Sequence, residues 1–179
     1  MKQEVVKLWH KDTNLQECDF IILPGGFSFG DYLRSGAIAK FSPIMNEIIG
    51  FANSGGYVMG ICNGFQILTE SGLLSGALLH NTSHKFICKN TYLKAITTNT
   101  LVTNKFSAKA IKIPIAHGEG RFFADEKTLK SLVDNDQILF KYSDENGDIT
   151  EQANPNGSLM NIAGICNNDR NVFGMMPHP

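Results

Sequence analysis

The sequence predicts an α/β protein built around a parallel β-sheet. Two short apolar runs, residues 18–23 and 57–61, each end at turn-forming residues, and a helical pattern follows each of them along the chain. Apolar runs of this length without polar alternation are typical of strands that are buried on both faces of a parallel sheet. The order strand, helix, strand, helix favours right-handed parallel connections.

Three further elements are predicted in the first half of the chain. Residues 4–9 alternate loosely between apolar and polar side chains and are compatible with an extended strand. Residues 38–54 fit a helix, because apolar side chains recur at helical spacing and Gly55-Gly56 follows them. Residues 63–70 begin directly after the second apolar run and fit another helix.

The second half of the chain is richer in strand patterns than in helical ones. Turn signals separate its segments, residues 167–171 have the polar composition of a hairpin loop, and residues 125–133 fit one short helix. The predicted strands are residues 87–96, 111–116, 138–142, 162–166 and 172–176. Because no internal repeat or linker interrupts the pattern, we expect residues 1–179 to form a single domain.

Composition and charge argue against several classes of protein. With 16 Lys and Arg against 17 Asp and Glu and no basic stripe, the chain is not expected to bind nucleic acid. No apolar stretch approaches the roughly 20 residues that span a membrane, and residues 1–10 lack the apolar core of a secretory signal. The four cysteines lie far apart without the spacing of zinc ligands, so we expect reduced thiols, no metal site and a cytoplasmic location.

Cys62 lies in the strongest local motif. Residues 60–64 read Gly-Ile-Cys-Asn-Gly and stand between a predicted strand and a predicted helix. This pattern is the cysteine counterpart of the nucleophile elbow, in which a sharp turn presents the nucleophile and flanking glycines avoid collisions. The adjacent helix N-terminus is expected to favour the thiolate. A structural cysteine buried in a tight turn is the alternative.

A second motif, Pro24-Gly25-Gly26, directly follows the first apolar run. Two glycines let backbone N–H groups face outward, as a binding site for an oxyanion requires. A phosphate-binding loop is a rival interpretation, although the Gly-Lys-Ser/Thr ending of such loops is absent. A simple turn fits the motif equally well when it is taken alone.

A cysteine nucleophile needs a general base, and two histidines are candidates. His178 is fixed between two prolines at the end of a predicted strand, which would hold it rigidly. His117, in the sequence Ala-His-Gly-Glu-Gly, is the competing candidate. Since a lone histidine is more often structural, the residue patterns alone leave this choice open.

Four segments, in the same order along the chain, carry a resemblance to a known family. They are residues 23–34, 60–68, 116–120 and 174–179. Together they resemble the glutaminase subunits of phosphoribosylformylglycinamidine synthases, which are class I glutamine amidotransferases of purine biosynthesis. The elbow and the final histidine are shared across that class, whereas Phe-Ser-Phe-Gly-Asp-Tyr-Leu-Arg and His-Gly-Glu-Gly narrow the resemblance to these subunits. It implies the parallel-sheet, flavodoxin-like fold of the class.

The resemblance also implies a role for each residue of the motifs. Cys62 would be the nucleophile, and His178 would act as general base and then as general acid. Backbone N–H groups of Gly26 and Asn63 would stabilise the oxyanion. The chain would therefore hydrolyse the side-chain amide of glutamine through a cysteine thioester.

Substrate and partners follow from the same resemblance. Gln66 would contact the amino-acid end of L-glutamine, and the backbone near His117 and Gly118 would hold its carboxylate. The ammonia would pass to a synthetase subunit that uses ATP and Mg²⁺ to make formylglycinamidine ribonucleotide, and a small accessory subunit would complete the assembly. The chain itself would carry no cofactor.

At both ends the sequence departs from the family pattern. Members of the family begin with an additional strand, and they continue after Pro-His-Pro with the third triad residue, a glutamate, and a closing helix. Because the sequence stops at Pro179, we expect a domain without the first strand and the last helix, and weak glutaminase activity. The alternatives are a non-catalytic form of this subunit or a related cysteine hydrolase on the same fold.

Overall fold

Residues 3–179, which the computed structural model describes, form a seven-stranded mixed sheet, a two-stranded sheet and three α-helices. The strands are β1 (Phe20–Leu23), β2 (Tyr57–Ile61), β3 (Ala77–Leu79), β4 (Ile87–Ala95), β5 (Ile111–His117), β6 (Arg121–Phe123), β7 (Ile138–Ser143), β8 (Ile162–Cys166) and β9 (Val172–Met175). The helices are α1 (Pro43–Asn53), α2 (Asn63–Glu70) and α3 (Glu126–Asp134). Met1 and Lys2 lie outside the described residues.

The large sheet has the strand order β1-β2-β9-β8-β7-β4-β5. β1, β2 and β9 are parallel, whereas the remaining neighbours are antiparallel. The predicted parallel sheet is therefore confirmed where it contains the two apolar runs. β8 and β9 pair antiparallel because only residues 167–171 join them, and a parallel connection needs a crossover of about a dozen residues.

The helix predicted over residues 38–54 is interrupted. A 3-10 turn, Ala39–Phe41, precedes α1, and Ser42 between them has the extended φ and ψ angles of −61° and 140°. Pro43 causes the interruption, because its ring disfavours a helical conformation of the residue before it. Proline also suits the first position of a helix, where its missing N–H is not needed.

Two further differences concern strands. Residues 4–9 form no strand and pair with no strand of the described chain. The side chains of Val5 and Trp9 in this segment are exposed. β3 and β6, which the sequence patterns did not predict, pair antiparallel as the separate two-stranded sheet. Each has three residues, which is too short to produce a periodic pattern.

α2 packs directly against the parallel part of the sheet. Phe65 and Leu68 on its inner face have no solvent exposure. The helix approaches β1 closely because Gly64 has no side chain, and a Cβ atom there would lie 2.0 Å from the carbonyl oxygen of Leu23. On the other face of the sheet, Met59 contacts a second apolar cluster. Packing on both faces thus fixes β2 and α2, the two elements that flank Cys62.

Truncation of a core side chain of α2 tests this packing. Leu68→Ala is expected to lower the free energy of unfolding by about 2–5 kcal/mol, because it removes a fully buried side chain and leaves a cavity. Leu101→Ala removes the same atoms from a half-exposed position and should change that free energy by less than about 0.5 kcal/mol. Urea denaturation followed by circular dichroism measures both, and equal losses would contradict the packing described here.

Candidate active site

Cys62 forms a strained turn between β2 and α2. Its φ and ψ angles are 52° and −107°, in the left-handed half of the backbone map that residues with a side chain rarely adopt. The backbone on both sides is tied down: Cys62 N–H donates to Met175 O at 2.8 Å, and Gln66 N–H donates to Cys62 O at 3.1 Å. The structure therefore contains the elbow that the glycine-flanked motif predicts.

The flanking glycines are required for close packing within this turn. A Cβ atom on Gly60 would lie 2.6 Å from the carbonyl carbon and oxygen of Gly64, which leaves no room for a side chain. Gly64 in turn lies against the backbone of Leu23. The strand and the helix can meet at such a sharp angle only because both positions lack side chains.

The thiol of Cys62 is buried and protonated. Its residue is 5% exposed, and Sγ donates a hydrogen bond to Ala116 O at 3.8 Å. Burial raises the pKa of the thiol to about 11, although the backbone N–H of Asn63 at the helix start opposes this shift. The helix start thus favours the thiolate, as the sequence predicts, but desolvation outweighs this effect and keeps the thiol protonated at neutral pH.

His178 and Cys62 meet at Gly25. A Cβ atom on Gly25 would lie 2.7 Å from Cε1 of His178 and 3.6 Å from Cβ of Cys62. The backbone N–H of His178 donates to Pro114 O at 2.9 Å, which fixes the chain after β9 against β5. The three sequence motifs that contain these residues thus come together at the carboxyl ends of β1, β2 and β9.

Gly26 and Asn63, the two predicted oxyanion residues, are the chain neighbours of Gly25 and Cys62. Gly26 has a φ of 152°, and a Cβ atom there would find no atom within 4 Å, so this side of the loop is open. Asn63 is the first residue of α2, where backbone N–H groups have no acceptor within the helix. Its side-chain oxygen accepts from the backbone N–H of Ser28 at 3.2 Å and so ties the loop to the helix.

Gln66 connects α2 to the turn formed by residues 117–120. Its Nε2 donates to Glu119 O at 2.6 Å, and its Oε1 accepts from Nδ2 of Asn63 at 2.9 Å. Both ends of the carboxamide are therefore held by protein groups in the substrate-free chain. Gly118, predicted with Gln66 to bind the substrate, lies in the same turn and is half-buried.

The imidazole of His117 is buried and neutral. The residue is 2% exposed, and burial lowers its pKa to about 4, with a smaller contribution in the same direction from His178. Nδ1 lies 3.1 Å from Oδ1 of Asn81, whereas Nε2 has no hydrogen-bond partner among the described residues. His117 is thus held by a neighbouring side chain. The ring of His178 lies against Gly25, and its Nε2 has no hydrogen-bond partner among the described residues.

Two side chains organise the site through contacts that the sequence patterns did not predict. Asn81 has no solvent exposure and contacts the turn of residues 117–120 through its carboxamide. Glu119 accepts from Ser35 N–H at 3.0 Å through Oε2 and lies 3.3 Å from Nε2 of His80 through Oε1. These contacts join segments far apart in the sequence. No local motif indicates Asn81, and the His-Gly-Glu-Gly motif contains Glu119 without indicating its partners.

Residues 3–179 contain neither a cluster of metal-binding side chains nor a membrane-spanning helix. No group of three or more His, Cys, Asp or Glu side chains in that range is arranged to hold a metal ion. No helix in the same range is both long and apolar enough to cross a membrane.

Known proteins resemble this chain over almost its full length. The model of the CobB/CobQ-like glutamine amidotransferase domain matches residues 2–179. Phosphoribosylformylglycinamidine synthase subunit PurQ of Koribacter versatilis is 55% identical over 179 residues, which cover 99% of this chain and 78% of that protein. The subunit of the same name from Synechocystis sp. is 58% identical over 173 residues, which cover 96% and 77%.

A solved structure shows the same fold. The structure described as PurLQS from Thermotoga maritima contains a chain that matches with a TM-score of 0.79 and 46% identity, over 94% of this chain and 72% of that one. The predicted fold of class I glutamine amidotransferases is thereby confirmed. Together with the elbow at Cys62, these similarities show that the chain belongs to the family of phosphoribosylformylglycinamidine synthase subunits PurQ, within the CobB/CobQ-like glutamine amidotransferases.

Proposed function

We propose that this chain hydrolyses L-glutamine to glutamate and ammonia, and that a synthetase subunit uses the ammonia to make formylglycinamidine ribonucleotide in purine biosynthesis. The observation that carries this proposal is the meeting of the strained Cys62 with His178 at Gly25. A nucleophile and a histidine base held together beside a glycine-rich loop suit acyl transfer. Membership of the PurQ family supports glutamine as the acyl donor.

The reaction proceeds in two halves. His178 takes the proton of Cys62 as the sulfur attacks the side-chain carboxamide carbon of glutamine, and N–H groups of Gly26 and Asn63 stabilise the oxyanion. His178 then gives the proton to the leaving nitrogen, so that ammonia departs and a thioester remains. Water, deprotonated by His178, cleaves the thioester, which releases glutamate and restores the thiol.

In this proposal the amino-acid end of glutamine binds at the turn of residues 117–120. Gln66 contacts it from α2, and the backbone near His117 and Gly118 holds its carboxylate. The hydrogen bond from Gln66 to Glu119 O supports this arrangement, because it links the helix that follows the nucleophile to the turn. The substrate is thus held at both ends, by the elbow and by the turn.

The proposed partners supply the second half of the overall reaction. ATP and Mg²⁺ act at the synthetase subunit, a small accessory subunit completes the assembly, and this chain works as one domain without a cofactor of its own. The similarity to a chain in the structure described as PurLQS supports an assembly of this kind. We place the reaction in the cytoplasm, where the Cys62 thiol stays reduced.

Affinity labelling tests the proposed site directly. The diazoketone analogue of glutamine is expected to alkylate Cys62 and no other thiol, because only this sulfur lies beside the proposed glutamine site. Mass spectrometry of the peptides locates the adduct, and Cys62→Ser is the control that should take none. A chain that is folded by circular dichroism but carries no adduct on Cys62 would refute the proposal.

The pH dependence of alkylation tests the protonation state of the nucleophile. Iodoacetamide should modify Cys62 about tenfold faster for each added pH unit below the pKa of about 11, because burial keeps the thiol protonated and only the thiolate reacts. In the urea-unfolded chain the rate should instead level off near the ordinary thiol pKa of about 8.5. A rate that does not change with pH in the folded chain would indicate a resting thiolate and contradict the assignment.

Gly25→Ala tests the contact between the loop and the histidine. The added Cβ would lie 2.7 Å from Cε1 of His178, so the imidazole must leave its present position. The rate of labelling by the glutamine analogue should fall about 100-fold. Gly50→Ala adds the same methyl group in α1, where no atom lies within 4 Å, and should leave the rate at the wild-type value. Equal rates in the two variants would show that the close approach at Gly25 does not matter.

A further inference from the structure

Asn81 binds the turn of residues 117–120 from several directions. Its Nδ2 donates to His117 O and to Lys85 O, each at 2.9 Å. Its Oδ1 lies 3.2 Å from the backbone N–H of Gly120 and 3.1 Å from Nδ1 of His117. The backbone N–H of Asn81 also donates to Gly118 O at 2.9 Å. One fully buried residue therefore satisfies polar groups along the whole turn.

These contacts determine how the Asn81 carboxamide is oriented. Two carbonyl oxygens face Nδ2 and a backbone N–H faces Oδ1, so the reversed orientation would bring oxygen against oxygen twice. Since Oδ1 can only accept, Nδ1 of His117 must carry the proton. Nε2 of His117 is then a lone-pair acceptor, and it is the buried ring atom that has no partner among the described residues.

The shape of the turn depends on the same ring. A Cβ atom on Gly120 would lie 2.2 Å from Cε1 of His117, so the imidazole lies directly against the backbone of Gly120. Asn81 contacts both residues at once. If its side chain is removed, the ring loses the partner that fixes its tautomer and the N–H of Gly120 loses its acceptor.

We propose that Asn81 is a positioning residue for glutamine binding: it holds the turn of residues 117–120 in the shape that receives the amino-acid end of glutamine, and it fixes Nε2 of His117 as a hydrogen-bond acceptor. This inference rests on the proposed function. Asn81 touches no reacting atom and acts through the turn. None of the hydrogen bonds of Asn81 goes to Cys62, whose own partners are Met175, Gln66 and Ala116.

Asparagine is the side chain that this position requires. The carboxamide offers donors and an acceptor at once, and the four groups around it need both. Aspartate keeps the acceptor but would place a second oxygen against the carbonyl oxygens of His117 and Lys85. Alanine would leave three backbone groups and the His117 ring without partners, which buried polar groups tolerate poorly.

Two labelling reactions on the full chain separate glutamine binding from thiol reactivity. In Asn81→Ala, the concentration of the diazoketone analogue that gives half-maximal labelling of Cys62 should rise about tenfold or more, since the turn loses several hydrogen bonds. Alkylation by iodoacetamide, which has no amino-acid end, should stay within about twofold of the wild-type rate.

Asn171→Ala is the matched structural control. Asn171 is also buried, and its Nδ2 donates to Ala52 O at 2.7 Å and Gly56 O at 2.8 Å, at the opposite end of β9 from His178. Its loss should lower the melting temperature as Asn81→Ala does, but leave the half-maximal concentration of the analogue within about twofold. If both variants weaken labelling equally, Asn81 is only structural and the inference fails.

The tautomer of His117 gives a readout that does not require glutamine chemistry. Nitrogen NMR of the wild-type imidazole should show the proton on Nδ1, and Asn81→Ala should abolish that preference. A proton on Nε2 in the wild-type chain would overturn the inference. If the analogue fails to label the wild-type chain while iodoacetamide succeeds, the proposed function fails, and the NMR result alone then decides the role of Asn81.

Discussion

The left-handed backbone conformation of Cys62 is the constraint on which the rest of the site depends. Such a conformation costs about 1–3 kcal/mol and persists only where surrounding structure enforces it. Here β9 holds the residue from one side through Met175, and the first turn of α2 holds it from the other through Gln66. The side-chain-free surfaces of Gly60 and Gly64 let strand and helix meet at the required angle. The same packing brings the glycine loop and His178 to the sulfur.

The turn that presents the Cys62 sulfur also buries it. The helix start and the burial shift the pKa of the thiol in opposite directions. The helix start stabilises negative charge on Cys62, but desolvation is the larger effect and keeps the thiol protonated. A nucleophile of this kind is activated only when a base takes its proton during the attack. In the proposed mechanism His178 is that base. The fold holds it through the backbone, because His178, three residues after the end of β9, donates its N–H to Pro114 O.

The sequence predicted the elements around the nucleophile well and the supporting contacts poorly. Tyr57–Ile61 and Asn63–Glu70 form at the predicted residues, because a buried strand and a glycine-bounded helix are specified by local pattern. The break at Pro43 was missed, although proline restricts the residue before it. Asn81 gave no signal, because its partners in residues 117–120 are brought to it only by the fold. The catalytic roles themselves remain predictions that the geometry supports.

The buried thiol makes the substrate-free protein resistant to oxidation at its most important atom. Peroxides attack thiolates that solvent can reach, and Cys62 is neither ionised at neutral pH nor open to water. Cys88 is exposed on β4, so an oxidant in solvent reaches it more readily than it reaches the buried Cys62. In the proposed mechanism, His178 removes the proton of the Cys62 thiol when glutamine is bound, and the thiol is protonated at neutral pH otherwise. The same turn that presents the nucleophile therefore keeps its thiol buried and protonated between turnovers.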